Sequence, residues 1–477
     1  MKKGKVKKIL AVWMLVNLLV NMSYADIKVD KGIPQNTSVD RAQNGANIIN
    51  INTPNNKGIS VNDFSEFRTK DPTVFNNFGA GVGRSHLAGM MASNPNLTKD
   101  QAARLILNRV GGNNRAEIEN WLEVMSDKKT DLIFSSHQGF YLNNTGFINF
   151  DKVIFTTSKV YLDGNGDIQP FNIRGGAIEI GRQGINAEGL QYLALLSKQI
   201  SIDGMISAKD GDLDIIAGEF DYNPDTREYI NKASYNGDML ISASAYGSIY
   251  GQQIKVVANG GDLGVKSDMI GYKVLSINAD GTVRTNQVQG TSGVDIKAKE
   301  FIQEGSVYTE GELKISADKT ILTGAGTQAD NISITGELDN QSNLYAKGNI
   351  SIGNNTLNTG KIISEKGLTV SGNLNTSNIV YGKELVNISG NLLNISDIQS
   401  EGNITIGLSA TNKGRILTDN ILLINGLTLN EGTLYGKSRV ILQGLTNSGS
   451  LQSTGDITAQ NVTNTGRIIG EGNISVL

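Results

Sequence analysis

The chain has 477 residues, with 56 Gly, only 6 Pro, no Cys, 6% aromatic and 19% charged residues, and a net charge of −3. This excludes disulfide frameworks, Cys-ligated metal and thiol nucleophiles, and the near-neutral balance gives no support to nucleic-acid binding. Gly together with about fifty Asn exceeds a fifth of the chain, which predicts an architecture dense in turns, as two to four domains or one long repeat structure.

Residues 1–25 have the layout of a secretory signal peptide. Lys2, Lys3, Lys5, Lys7 and Lys8 precede an apolar run from Ile9 to Val20, and Ser23-Tyr24-Ala25 is a small-x-small cleavage pattern. The run is too short for a membrane span, which takes about 20 residues. Cleavage is expected between Ala25 and Asp26, and loss of five Lys and no acids takes the charge from −3 to −8.

The block after it holds both His and the one Trp outside the leader. Asn44-Gly45 to Asn55 sets an alternating strand between turn residues, and Thr98-Lys-Asp-Gln101 scans as a helix capping box, so Thr98 to Val110 reads as helix. Gly79-Ala-Gly-Val-Gly-Arg84 lacks the Gly-Lys-Ser/Thr of a phosphate loop and reads as a mobile connection. His86 and His137 are isolated in sequence, with no carboxylate at metal spacing. Asp163-Gly-Asn-Gly-Asp167 starts like a calcium loop but has Ile168 where Gly belongs and Arg174 where Glu belongs, so a polar turn is expected. No metal site and no cofactor is expected. Asp203, Asp210, Asp212 and Asp214 form an acidic cluster, the one feature that suggests a β-helical polysaccharide lyase.

Alternation of apolar residues continues in Gly176-Ala-Ile-Glu-Ile180, Ile200-Ser-Ile-Asp-Gly204 and Leu213-Asp-Ile-Ile216, irregularly at first. From Gly311-Glu-Leu-Lys-Ile315 to Gly472-Asn-Ile-Ser-Val476 a turn residue followed by x-apolar-x-apolar recurs every 17 to 19 residues. A second ladder shares the period: Asn358-Thr-Gly360, Asn412-Lys-Gly414, Asn430-Glu-Gly432, Asn447-Ser-Gly449 and Asn464-Thr-Gly466. Period-two alternation means strands, and about 18 residues suit one coil of a parallel β-helix, with three short strands and three turns. Inward Ile, Leu and Val would stack into a continuous column. Asn and Gly would occupy corners that need left-handed backbone. Roughly 300 residues give ~17 coils and a rod of about 80 Å. Its upper end needs a cap, sought in the N-terminal 150 residues.

The N-terminal block resembles the two-partner secretion domain of filamentous-haemagglutinin-like and contact-dependent inhibition exoproteins. The resemblance rests on Asn44-Gly45, Ile49-Asn-Ile-Asn-Thr-Pro-Asn55, Gly58-Ile-Ser60 and Phe64-x-x-Phe67. It continues in Asn94-Pro-Asn-Leu97, Leu105-Ile-Leu-Asn-Arg-Val110, Gly146-Phe-Ile-Asn149 and Phe171-Asn-Ile-Arg-Gly175. Two positions depart from the family: its NPNG signature is Ser136-His137-Gln138-Gly139 here, and Arg109 replaces a Glu. The resemblance implies strand rather than helix for Arg104 to Val110, which we prefer, with a short helical turn before it. It implies an all-β, right-handed parallel β-helix, a single-stranded solenoid with an N-terminal cap and extra-helical elements. The expected division is 1–25 signal peptide, 26–225 two-partner secretion domain and 226–477 haemagglutinin-like repeats.

The resemblance also implies function. Such proteins use the Sec machinery, are recognised by an outer-membrane β-barrel transporter with periplasmic recognition domains, and fold outside the cell. Asn44, Asn94, Pro95, Asn96 and Leu97 are the residues associated with recognition. A secreted, non-catalytic adhesin or surface structural protein is expected, with a host-cell or bacterial-surface receptor as further partner and no nucleic acid. The alternatives are a toxin carrier truncated before its effector, because the sequence stops within a repeat, and the lyase.

Overall fold

The computed structural model describes residues 26–477, so the signal peptide and Ala25 lie outside the described residues. These residues are all β, with sixty strands and no helix, wound into a parallel solenoid of about 18 turns. In the repeats a coil carries three strands, such as Asn331–Ile334, Glu337–Asn340 and Asn343–Ala346, which define a first, second and third face. Each strand pairs in parallel with its counterpart one coil on. Ile332 meets Ile350, which meets Leu368, then Val386, Ile404 and Leu422. The recurring turn-x-apolar-x-apolar motif is therefore the first face, and its apolar residues fill the solenoid interior.

The second ladder is the end of the second face. Asn340, Asn358, Asn394, Asn412, Asn430 and Asn447 are buried, pointing inward. The Asn394 amide donates to Asn412 at 2.8 Å, Asn412 to Asn430 at 2.8 Å and Asn430 to Asn447 at 2.7 Å. Thr376 takes the Asn place in one coil and accepts from Asn358 at 2.9 Å. Spare amide protons go to backbone, as from Asn412 to the Thr433 carbonyl at 3.1 Å.

Left-handed backbone is not what selects these residues. After residue 260 only Gly326 and Asn461 have φ in that region. The ladder glycines are required by close approach instead. A Cβ on Gly414 would lie 1.9 Å from the Ser396 carbonyl oxygen, and one on Gly432 would lie 2.0 Å from that of Gly414.

The upper end is closed by antiparallel strands. Asp26–Val29 pairs against Ile59–Thr69, and Ser38–Arg41 against Asn47–Asn50, which leads into the third-face stack through Thr73–Asn76 and Leu122–Met125. Edge-on phenylalanines fill the first coils: Phe64, Phe67, Phe134 and Phe140 follow one another at 5.2, 4.8 and 5.7 Å between ring centres. Thr98 to Val110 is not a helix. Gln101 Oε1 accepts the Thr98 N–H at 3.0 Å, so half of the capping box forms, but it closes only a turn. Leu105–Val110 is then drawn into parallel pairing with Ile59–Thr69 on one side and Thr130–Ser136 on the other.

A separate three-stranded antiparallel sheet, Phe171–Ile173, Phe220–Tyr222 and Tyr229–Asn231, lies outside the solenoid. It packs on the first face and makes a second apolar core with outward residues such as Leu107, Ile154, Tyr192, Leu196 and Ile216. That explains the irregular alternation upstream: a strand such as Tyr192–Ser197 is buried on both sides and needs apolar or small residues throughout.

Replacing Asn412 by Ala takes one acceptor from the Asn394 amide, which keeps the Ser396 and Arg415 carbonyls, and leaves the buried Asn430 Oδ1 without its donor. We expect a loss of about 1–3 kcal/mol in denaturant unfolding, whereas the outward Thr411→Ala should change little.

Candidate functional site

The cap and first coils gather most of the motif residues. The Asn44-Gly45 turn joins Ser38–Arg41 to Asn47–Asn50, with Gly45 at φ 89° and its N–H donating to the Ala42 carbonyl at 3.0 Å. Asn44 is exposed, and its amide donates 2.7 Å to the carbonyl of Leu87 in the turn of a hairpin made by Val82–Ser85 and Gly89–Ala92.

The Asn94 to Leu97 corner is largely internal. The buried Asn94 amide donates to the Ile51 carbonyl at 2.9 Å and to the Asn76 carbonyl at 2.7 Å, and its Oδ1 accepts the Asn96 N–H at 2.9 Å. The half-buried Asn96 donates to the Asn36 and Ile51 carbonyls at 2.8 and 3.1 Å. Leu97 sits in the main core, and Pro95 is exposed. The five motif residues thus divide by what they touch. Asn94, Asn96 and Leu97 fasten the cap to the first coil. Asn44 and Pro95 line one open groove of about 900 Å3, whose wall includes Arg41, Met90 and Met91. Met90 is 69% exposed there.

Sequence reasoning missed the residue that holds the groove's far wall. Glu123, buried on the third face, accepts the Ser85 hydroxyl at 2.6 Å and the N–H groups of His86 and Leu87 at 2.9 and 2.8 Å. His86 is therefore not isolated, since its Nδ1 lies 3.2 Å from the same carboxylate. The Gly79 to Arg84 stretch is not a loose connection either: it runs into this hairpin, and a Cβ on Gly79 would meet the Thr98 carbonyl at 2.0 Å. A buried Glu in an apolar Leu-Glu-Val-Met run is the signal that could have pointed here.

Both departures from the family pattern have local explanations. In the Ser136 to Gly139 corner, Gly139 alone needs the left-handed region, at φ 106°, and its N–H donates to the Ser136 carbonyl, so the turn survives the changed side chains. Arg109 lies in register with Asp63 and forms a two-point pair with it at 2.7 and 2.8 Å.

The sequences that suggested chemistry do not converge. The Asp163 carboxylate accepts the N–H groups of Asn165 and Asp167 at 2.8 and 2.9 Å, contacts that hold it below the ordinary carboxylate range, and Asp167 pairs with Lys57. Among the described residues no group of three or more His, Asp or Glu is placed to hold a metal ion. Of the acidic cluster, Asp203 meets Ser244, Asp210 caps the Gly189 N–H and Asp212 pairs with Arg227. Asp214 is buried under the external sheet, accepting the Tyr192 hydroxyl at 2.7 Å, which in turn contacts that of Tyr222 at 2.7 Å. Arg227 covers the Tyr192 ring at 3.7 Å. Burial raises the Tyr192 and Tyr222 hydroxyls above the ordinary phenol range, and both are engaged with Asp214 or with each other beneath the external sheet.

Cap, solenoid and external sheet together define the secretion domain of a β-helical exoprotein. The chain belongs to the TPS secretion domain family, which matches residues 25–285. It is similar to the 16S rRNA endonuclease CdiA of Enterobacter cloacae, 28% identical over 301 residues, 62% of this chain and 9% of that protein. It is similar also to the filamentous hemagglutinin of Bordetella pertussis, 27% identical over 292 residues, 58% of this chain and 8% of that protein. A third relative is the protein adenylyltransferase and cysteine protease IbpA of Histophilus somni, 30% identical over 320 residues, 62% and 8%. The alignments thus span less than a tenth of these relatives' lengths. The crystal structure of a filamentous hemagglutinin secretion domain shares the fold, with TM-score 0.52 and 24% identity, covering 62% of this chain and 99% of that one.

Two outcomes are expected from these contacts. Glu123→Ala should free the hairpin, seen as faster protease cleavage between residues 79 and 93 while the circular dichroism of the solenoid is unchanged. Burial also raises the Asp214 carboxyl above its ordinary value of 3.8, outweighing the pull of Tyr192, Lys255 and Arg227. At pH 7 folding must bury a charge, whereas below that ordinary value the group is neutral in both states. Its cost therefore grows as pH rises from there through the raised folded value. Asp214→Asn should raise the melting temperature at pH 7, with the gain vanishing near pH 3.

Proposed function

We propose that this chain is a two-partner secretion exoprotein. It is exported by the Sec machinery and then by a dedicated outer-membrane β-barrel transporter with periplasmic recognition domains, and it acts at the cell surface or outside the cell as a non-catalytic adhesin or structural protein. The observation that carries this reading is the cap of the TPS secretion domain seated on one unbroken stack of coils. The working division is residues 26–225 for the secretion domain and 226–477 for the repeats. Within the former, Asn44 and Pro95 present the groove to the transporter, while Asn94, Asn96 and Leu97 act by fixing its shape.

A second reading is a toxin carrier, in which the solenoid is the stalk of a longer protein. It is favoured by the relatives named as nucleases and by the small share of their length that aligns. A reading frame continuing into an effector would favour it over the adhesin.

Deleting the cognate transporter should leave the protein in the periplasm, and unchanged secretion would refute the pairing. Two sets of variants separate recognition from shape. Asn44→Ala with Pro95→Ala should reduce secretion with stability unaltered. Asn94→Ala should reduce both, at a cost of about 1–3 kcal/mol in stability.

A further inference from the structure

The inward columns of the solenoid are dictated by stacking, but the outward columns are free, and one of them is unlike the rest. On the third face the central outward position runs in unbroken register through thirteen coils, from Tyr250 to Ile469. It holds only Tyr, Gln, Ile and Leu, and no charge. After residue 280 the chain has four tyrosines, and all of them stand in this column: Tyr308, Tyr345, Tyr381 and Tyr435. The only other aromatic in that stretch, Phe301, is inside the core. The matching column of the first face runs through Lys314, then small and polar residues from Ser333 to Thr405, then Leu423 and Ile441, with no tyrosine, so strand propensity and solubility do not call for tyrosine at such a position.

The column is long and narrow. Thirteen coils span about 60 Å. Two residues after the column position, in the six coils from Tyr345 to Tyr435, stands an exposed charged rail: Lys347, Glu365, Lys383, Glu401, Asp419 and Lys437. Its mixed sign gives no positive field to attract a polyanion, and a broad protein partner laid here would have to desolvate it. An extended chain one residue wide would not. The tyrosine hydroxyls at 308, 345 and 435 make no hydrogen bond among the described residues, and that of Tyr381 donates to Glu401 at 3.1 Å. Tyr308 and Tyr345, and then Tyr345 and Tyr381, are two coils apart, about 10 Å in each step. A β-1,4-linked pyranose chain turns the same ring face outward at every second sugar, a repeat of the same order.

We propose that this column binds a neutral, linear β-1,4-linked glycan lying along the solenoid axis. Tyr308, Tyr345 and Tyr381 would pack against the apolar ring faces and the Gln amides would bond the sugar hydroxyls. The proposal deepens the adhesin reading and rests on it for its biological setting, but binding itself can be measured without export.

The test uses the purified 26–477 chain, with retention on cellulose and titration with cellohexaose and chitohexaose, and with dextran and heparin as comparison ligands. Binding to at least one of the β-1,4-linked ligands is expected, with little for dextran or heparin. Tyr345→Ala with Tyr381→Ala should weaken it at least tenfold, while Ser351→Ala with Thr369→Ala leaves it unchanged and both pairs keep the wild-type melting transition. The proposal is overturned by no binding to any β-1,4-linked ligand, by preference for heparin, by tyrosine variants that bind as well as wild type, or by a change in oligomeric state that makes the column a contact between copies. Loss of glycan binding in a chain that still adheres to cells would leave the adhesin reading standing. Glycan binding by a chain that does not adhere would remove that reading alone.

Discussion

Each coil is held by what it shares with the coil beneath it: a parallel row of backbone hydrogen bonds and an inward residue resting on its own counterpart. A globular core can trade a large residue here for a small one there. A stack cannot, because a position recurs wherever the coil recurs. The Ile, Leu and Val columns follow from that constraint. So do the glycines, which stand where one turn passes within van der Waals distance of the carbonyl below, as Gly432 does over Gly414. The asparagines answer the remaining need. An inward polar residue is costly alone, but an amide that donates upward and accepts from below is satisfied by repetition, and backbone carbonyls such as that of Thr433 take the second proton.

The same constraint explains which parts of the fold were legible in the sequence. In the repeats one side of every strand faces water, so alternation survives, and the period can be counted from Gly311 to Val476. Toward the N-terminus the external sheet covers the first face, and strands such as Asp212–Gly218 lose their polar side. The pattern fades there because burial is two-sided. The Thr98 to Gln101 capping box shows the opposite failure. Its local hydrogen bond does form, yet the strands on both sides of Leu105–Val110 offer more than a helix could.

The candidate site is legible where a motif is compact and illegible where it is assembled across coils. Asn94 to Leu97 could be found as a tetrapeptide, although not which of its side chains face inward. Glu123 could not, because its partners Ser85, His86 and Leu87 lie 36 to 38 residues away and are joined to it by the stack alone. Arg109 departs from the family pattern in sequence, and its partner Asp63, in register with it one strand away, cannot be read from the neighbouring residues. A departure from a family pattern is best judged against the residue one coil away rather than the neighbour in sequence.

Stacking also settles how such a chain can be built. Nearly every long-range pairing joins residues about one coil apart, so once the antiparallel cap has formed, each emerging coil finds a completed edge to pair with and need not wait for distant sequence. This order of events places the greatest burden on the first coil, which has no coil before it. The phenylalanine cluster, the second core under the external sheet and the buried Asn94 are all concentrated at that end. The thinner repeats need only copy an edge that already exists. The cap thus supplies the first edge on which later coils can stack as well as the closed end of the solenoid, and the Asn94 amide, bonded to the Ile51 and Asn76 carbonyls, helps to hold that edge in shape.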